Sequence, residues 1–136
     1  MDDILENIKR FHGHLGPYAV IGYRMGLLAN KQLGNDPFAK QAVALTGITP
    51  PVSCIVDGIQ MASGCTLGKG NLAVHGDGEA AARFTGDDGA VLHLTLKPAI
   101  KGEIDTQVTD DNIEEYTADI YQRSDEELFI IHANDA

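Results

Sequence analysis

Apolar positions along the chain fall into short blocks whose spacing predicts mostly helix in the first third and mostly strand in the middle. Ile4, Leu5, Ile8 and Phe11 lie on one stripe of an amphipathic helix over residues 4–11. His12-Gly13-His14-Leu15-Gly16 interrupts it, and Pro17 suits the first turn of a second helix, where its missing N–H costs nothing. That helix is predicted to run to about Leu33, with Gly34 ending it in a left-handed cap. Gly22 and Gly26 stand four apart on one face, which predicts close approach of a neighbouring element. Residues 42–48 read as a strand stopped by Thr49-Pro50-Pro51. Ser53 is then expected to cap a third helix running to Ser63 and ending at Gly64.

Beyond the glycine-rich stretch Cys65-Thr66-Leu67-Gly68-Lys69-Gly70-Asn71, residues 72–75, 80–84 and 91–96 read as strands joined by Gly-Asp turns, a hairpin pattern. Asp110 or Asp111 is expected to cap a helix over about 112–122. Ser124-Asp125-Glu126-Glu127 signals a last short helix or strand. With 136 residues, no internal repeat and no linker, one domain spanning residues 1–136 is expected. The order predicts an α+β fold, with N-terminal helices packed on a mostly antiparallel sheet rather than repeating βαβ units.

Charge divides the chain. Residues 1–70 carry 6 Lys/Arg against 5 Asp/Glu, and residues 71–136 carry 4 against 15, for a net charge of −10. An acidic surface repels phosphate backbones and anionic lipid, so nucleic-acid and membrane partners are not expected. Tryptophan is absent and aromatic residues make up 6%, which removes an aromatic stacking platform. The start Met1-Asp2-Asp3 lacks the basic segment of a secretory signal, and the apolar run 18–29 is broken by Arg24. Cytoplasm is therefore the expected compartment, where Cys54 and Cys65 stay reduced. Two thiols also cannot hold a four-thiolate iron–sulfur cluster.

The residues suggestive of chemistry lie in the near-neutral half. His12 and His14 bracket a glycine at the mouth of the second helix. Cys54 falls at the start of the third, where the helix end favours a thiolate. Asp57, three residues on, shares its face. Imidazole with thiolate is the ligand chemistry of zinc and also suits nickel, copper or iron. The spacings His-x-His and Cys-x10-Cys are not those of a tight metal knuckle, and about 1.5 Å of rise per residue separates Cys54 from Cys65 along the helix. Capping or core-satisfied histidines and small buried cysteines fit the same pattern. The loop 64–70 has three residues between its first glycines and no Ser or Thr after Lys69, so it is not a Walker loop. Either an anion-binding nest aided by Lys69 or a plain tight turn is consistent with it. His75, His93 and His132 have no partners in sequence, and no Gly-x-Ser-x-Gly elbow or dinucleotide fingerprint occurs.

Four runs together resemble the FmdE family, named for a component of molybdenum formylmethanofuran dehydrogenase. These are Phe11-His12-Gly13-His14-Leu15-Gly16-Pro17; Ile21-Gly22-Tyr23-Arg24-Met25; Cys54-Ile55-Val56-Asp57-Gly58-Ile59-Gln60; and Gly64-Cys65-Thr66-Leu67-Gly68-Lys69-Gly70-Asn71-Leu72. The resemblance implies an α+β core pairing as a homodimer, with a cleft lined by the histidine and cysteine motifs. Longer members carry a C-terminal zinc finger, which is expected to be absent here because no cysteine follows Cys65. The family often has cysteine directly before the proline of the His-Gly-His motif, where this chain has Gly16, so a ligand is lost or replaced.

The expectation is a metal- or thiol-based site linked to one-carbon or formylmethanofuran metabolism. His12, His14, Cys54 and Cys65 are its candidate ligands for one transition-metal ion, zinc first, then nickel or iron. Asp57, Cys65 and Lys69 form the candidate catalytic set, with Asp57 orienting or acting as base. Gly68, Lys69 and Gly70 would hold an anionic group. The competing expectation is a non-catalytic accessory protein that binds or delivers a metal or cofactor to a molybdenum or tungsten formylmethanofuran dehydrogenase.

Overall fold

A computed structural model describes residues 3–134; Met1 and Asp2, part of the acidic start, lie outside the described residues. Among the described residues, six helices and five strands form an α+β fold. Helix α1 (Asp3–His12) has Asp3 and Glu6 in its first turn and Lys9, Arg10 and His12 in its last, opposing the helix dipole at both ends. Leu5 and Ile8 are buried, but Phe11 is 55% exposed and leaves the expected stripe. The chain reverses at Gly13 (φ 103), and Leu15 enters the core instead.

Helix α2 (Pro17–Leu33) begins at Pro17 as expected and is buried along most of its length. Gly34 ends it with φ 97 and ψ 167: φ is positive, but ψ is extended, so it is not the left-handed helical cap expected. Its N–H still donates to the Asn30 carbonyl.

Helix α3 (Ile55–Ser63) follows a 3-10 turn at Val52–Cys54. Ser53 lies inside that turn rather than at the helix boundary, so it does not cap; Cys54 occupies the boundary with no side-chain cap. Gly64 (φ 76, ψ 0) closes α3 as expected. Helices α2 and α3 cross at glycines. A Cβ on Gly22 would lie 1.9 Å from the Ile55 carbonyl oxygen, and one on Gly58 would lie 2.0 Å from that of Ala19. A Cβ on Gly26 would meet Ala62 at 2.6 Å, so the Gly22–Gly26 ridge is used within the chain and offers no seam to a second copy.

The sheet has the order β2-β1-β3-β4-β5, with β1 Lys40–Ala44, β2 Leu72–Val74, β3 Ala81–Gly86, β4 Val91–Leu96 and β5 Phe129–Asn134. Its pairs are antiparallel except β1 with β2, where Ala42 sits opposite Leu72. The expected β2–β3 hairpin does not form. Helix α3 lies in the long connection that lets β2 return parallel to β1, and β3 then pairs with the other edge of β1. The β3–β4 hairpin does form, turning at Gly89 (φ 88).

Helix α4 (Pro98–Gln107) has no strong apolar stripe, burying only Ile100 and Ile104, and the sequence pattern did not predict it. Helix α5 (Ile113–Gln122) starts after Asn112, not after a capping Asp110 or Asp111. Asn112 and Thr109 bond each other's backbone N–H reciprocally and so set the turn themselves. Ser124 caps α6 (Asp125–Leu128) by accepting from the Glu127 N–H. Among the described residues no helix is long and apolar enough to cross a membrane.

Candidate functional site

The end of α1, the start of α2, Pro50-Pro51 and Cys54 ahead of α3, and residues of α4 and α5 enclose a cleft of about 330 Å³, within the usual size of a small-molecule site. Its walls are largely apolar, including Pro17, Pro50, Pro51, Ile104, Val108 and Ile113. The polar groups that line it are few: His12, His14 and Cys54 on one side, Tyr18 and Asp105 on the other.

His12 Nδ1 lies 2.6 Å from Asp57 Oδ2. An ionised carboxylate only accepts, so this contact places the hydrogen on Nδ1 and leaves Nε2 with its lone pair. The His12 side chain is 10% exposed and that of Asp57 is 38%, so the pair bridges the cleft wall and solvent. His14 stacks obliquely on His12, with ring centroids 4.9 Å apart. Gly16 makes room for it: a Cβ there would come within 2.8 Å of His14 Cε1.

Cys54 is half-buried, and burial pushes its thiol pKa up. The Asp57 carboxylate pushes it the same way, against a smaller lowering by a backbone hydrogen bond. The expected thiolate at a positive helix end is thereby corrected: desolvation and a neighbouring anion outweigh the end field. On the far wall, Tyr18 Oη donates to Asp105 Oδ1 at 2.6 Å, and Lys101 Nζ donates to Oδ2 at 2.7 Å. Burial works to raise the Asp105 pKa, but these two hydrogen bonds outweigh it and hold the carboxyl below its ordinary range. Burial, with Asp105 behind it, raises Tyr18 so that its phenol stays protonated.

Of the residues singled out in the sequence, His12, His14, Cys54 and Asp57 come together here. Cys65 does not line the cleft; it is fully buried beyond the end of α3, with its N–H donated to Ser63 Oγ. Gly68, Lys69 and Gly70 also lie outside the cleft lining. The loop's amides at Thr66, Leu67, Lys69 and Gly70 donate to Asn71, Gln60, Thr66 and Leu67, which commits them to a turn. The Lys69 ammonium lies 5.8 Å over the Phe38 ring. His93 and His132 face each other across β4 and β5, away from the cleft. Tyr18 and Asp105 are the site residues that sequence reasoning missed; Asp105 sits on a helix without an apolar signal, and Tyr18 reads as core.

Among the described residues no three His, Cys, Asp or Glu side chains stand close enough to hold a metal ion. The donor set as placed does not fit the expected transition metal.

The FmdE family model, described as "FmdE, Molybdenum formylmethanofuran dehydrogenase operon", matches residues 11–130. A protein of Archaeoglobus fulgidus described as a probable S-adenosyl-L-methionine-binding protein is 38% identical over 71 residues. The match covers 51% of this chain and 19% of that protein, so the chain spans about a fifth of the relative's length. A crystal structure of an FmdE-like protein of tungsten formylmethanofuran dehydrogenase, from Syntrophus aciditrophicus, has the same fold. It shares 20% identity at a TM-score of 0.65, over 98% of this chain and 71% of that one.

Proposed function

The chain belongs to the FmdE family, and from that premise we propose that the cleft binds a small organic molecule and moves a proton on it, in one-carbon chemistry tied to a molybdenum or tungsten formylmethanofuran dehydrogenase. The observation that carries this reading is the 2.6 Å contact between His12 Nδ1 and Asp57 Oδ2 at the wall of an apolar cleft. Asp57 orients the ring and stabilises the imidazolium that forms when Nε2 takes a proton from the bound molecule. Cys54, held as a thiol by its raised pKa, offers an S–H on the same wall. The apolar walls exclude water and strengthen each of these interactions.

The test needs no substrate. Nitrogen-15 NMR should find His12 as the Nδ1–H tautomer at about pH 8, above the ordinary imidazole range, with that preference lost in Asp57→Asn. An Nε2–H tautomer in the unaltered protein would leave no acceptor and overturn the proton-transfer role.

Two further readings share the cleft. S-adenosyl-L-methionine as its occupant draws support from the description of the Archaeoglobus relative; titration calorimetry with that compound, read beside shifts of the His12 and His14 resonances, tests it. An accessory protein that binds or delivers a metal ion would use His12, His14 and Cys54. Stoichiometric zinc, nickel or iron in protein purified without added metal, lost in Cys54→Ala, would establish it against the placement of donors seen here. A homodimer is supported by the exposed Phe38 and Leu67, 74% and 79% accessible, beside Lys69. Light scattering at micromolar concentration that showed only a 14.6 kDa species would remove it.

A further inference from the structure

The cleft's charge pattern is one-sided. Among the described residues no lysine or arginine lines it, and its ionised side chain is the Asp105 carboxylate. Lys101 is committed to that carboxylate from outside the lining. On the opposite wall His12 already has its own carboxylate, Asp57. An anionic ligand would therefore give up its hydration for apolar walls, two carboxylates nearby and no paired cation, a burial that proteins avoid. The expected anion anchor, Lys69, stands outside the lining.

We infer that the cleft selects an uncharged or singly cationic molecule with an apolar body and rejects carboxylate- and phosphate-bearing ones, with Asp105 as the residue that sets this choice. The inference rests on the cleft being the ligand site and adds the class of ligand. Asp105 is suited to the task because Tyr18 and Lys101 fix both of its oxygens and keep it ionised. The bound molecule's body lies along Pro50, Pro51, Ile104 and Val108, and its polar end lies between Asp105 and the histidines.

Four probes sharing one phenyl ring test this: benzyl alcohol, benzylamine, benzoate and phenyl phosphate. Each is titrated into the full chain at about pH 8 in low salt while the ring resonances of His12 and His14 are followed. Benzyl alcohol and benzylamine should shift both rings saturably, and the two anions should need at least about tenfold higher concentration, about 1.4 kcal/mol. Asp105→Asn should erase most of that gap. Tyr18→Phe, which retains the carboxylate, should preserve it and serves as the folding control. Benzoate or phenyl phosphate binding as well as the uncharged probe overturns the charge selection and leaves the cleft as a ligand site. A gap unchanged in Asp105→Asn overturns the role of Asp105. If no probe moves either histidine, the ligand-site reading falls and this inference falls with it.

Discussion

Placing a methyl group at the α2–α3 crossing tests how the site is held together. In Gly58→Ala the new Cβ would sit 2.0 Å from the Ala19 carbonyl oxygen and 2.3 Å from the Tyr23 amide nitrogen. Both are backbone atoms, so no rotamer change can relieve the overlap, and the two helices must part by more than an ångström. Helix propensity pulls the other way, favouring alanine over an interior glycine by about 1 kcal/mol. Overpacking costs about 1–3 kcal/mol, occasionally more, and a backbone clash of this depth belongs at or above the upper end. The net expectation is a loss of about 2–3 kcal/mol, or roughly 6–12 °C in Tm for a chain of this length. Gly102→Ala supplies the internal contrast: it lies within α4, and a Cβ there meets nothing within 4 Å. It should gain about 0.5–1 kcal/mol from propensity alone. Differential scanning calorimetry of both variants decides the matter. A Gly58→Ala protein as stable as Gly102→Ala would show that the helices are not in backbone contact, and the argument for how Cys54 and Asp57 are set against α2 would fail.

Other outcomes follow from the same site. Asp57→Asn removes one of the two influences raising the Cys54 pKa, so alkylation by iodoacetamide at about pH 8 should accelerate; an unchanged or slower rate counts against the electrostatic account. Gly16→Ala should push the His14 ring away from its place beside His12, seen as lost ring-to-ring nuclear Overhauser contacts, because the added Cβ starts 2.8 Å from Cε1. Glu103 accepts from Arg123 and Tyr116, and these hydrogen bonds hold its carboxyl below the ordinary range. A depressed folded-state pKa stabilises above the unfolded value of about 4.3 and loses that stabilisation as pH falls through the folded value. The stability gap between the unaltered protein and Glu103→Gln should therefore be constant near neutrality and close below about pH 4, as measured by urea denaturation; a gap that widened on acidification would reverse the sign.

Much of this protein is decided locally and was legible in the chain itself. Pro17 starts α2 and Gly64 ends α3 because each has a backbone preference that needs no tertiary partner. Ser124 caps α6 through a hydrogen bond spanning three residues, and β4 spans residues 91–96 as its pattern predicts. His12, His14, Cys54 and Asp57 stood out because uncommon chemistry recurs beside helix breaks. Tertiary structure decided what depended on distance. The parallel return of β2 beside β1 follows from where α3 packs, which no turn signal near residues 72–84 encodes. Helix α4 is held by two buried isoleucines, and by Tyr18 and Arg123 bonding Asp105 and Glu103 across 87 and 20 residues. Such contacts leave no periodic trace, so the acidic wall of the cleft was invisible until the chain folded. Cys65 separated from Cys54 for the same reason: a buried apolar niche beyond Gly64 took the thiol, and the 45-residue reach from Asp57 to His12 built the site without it.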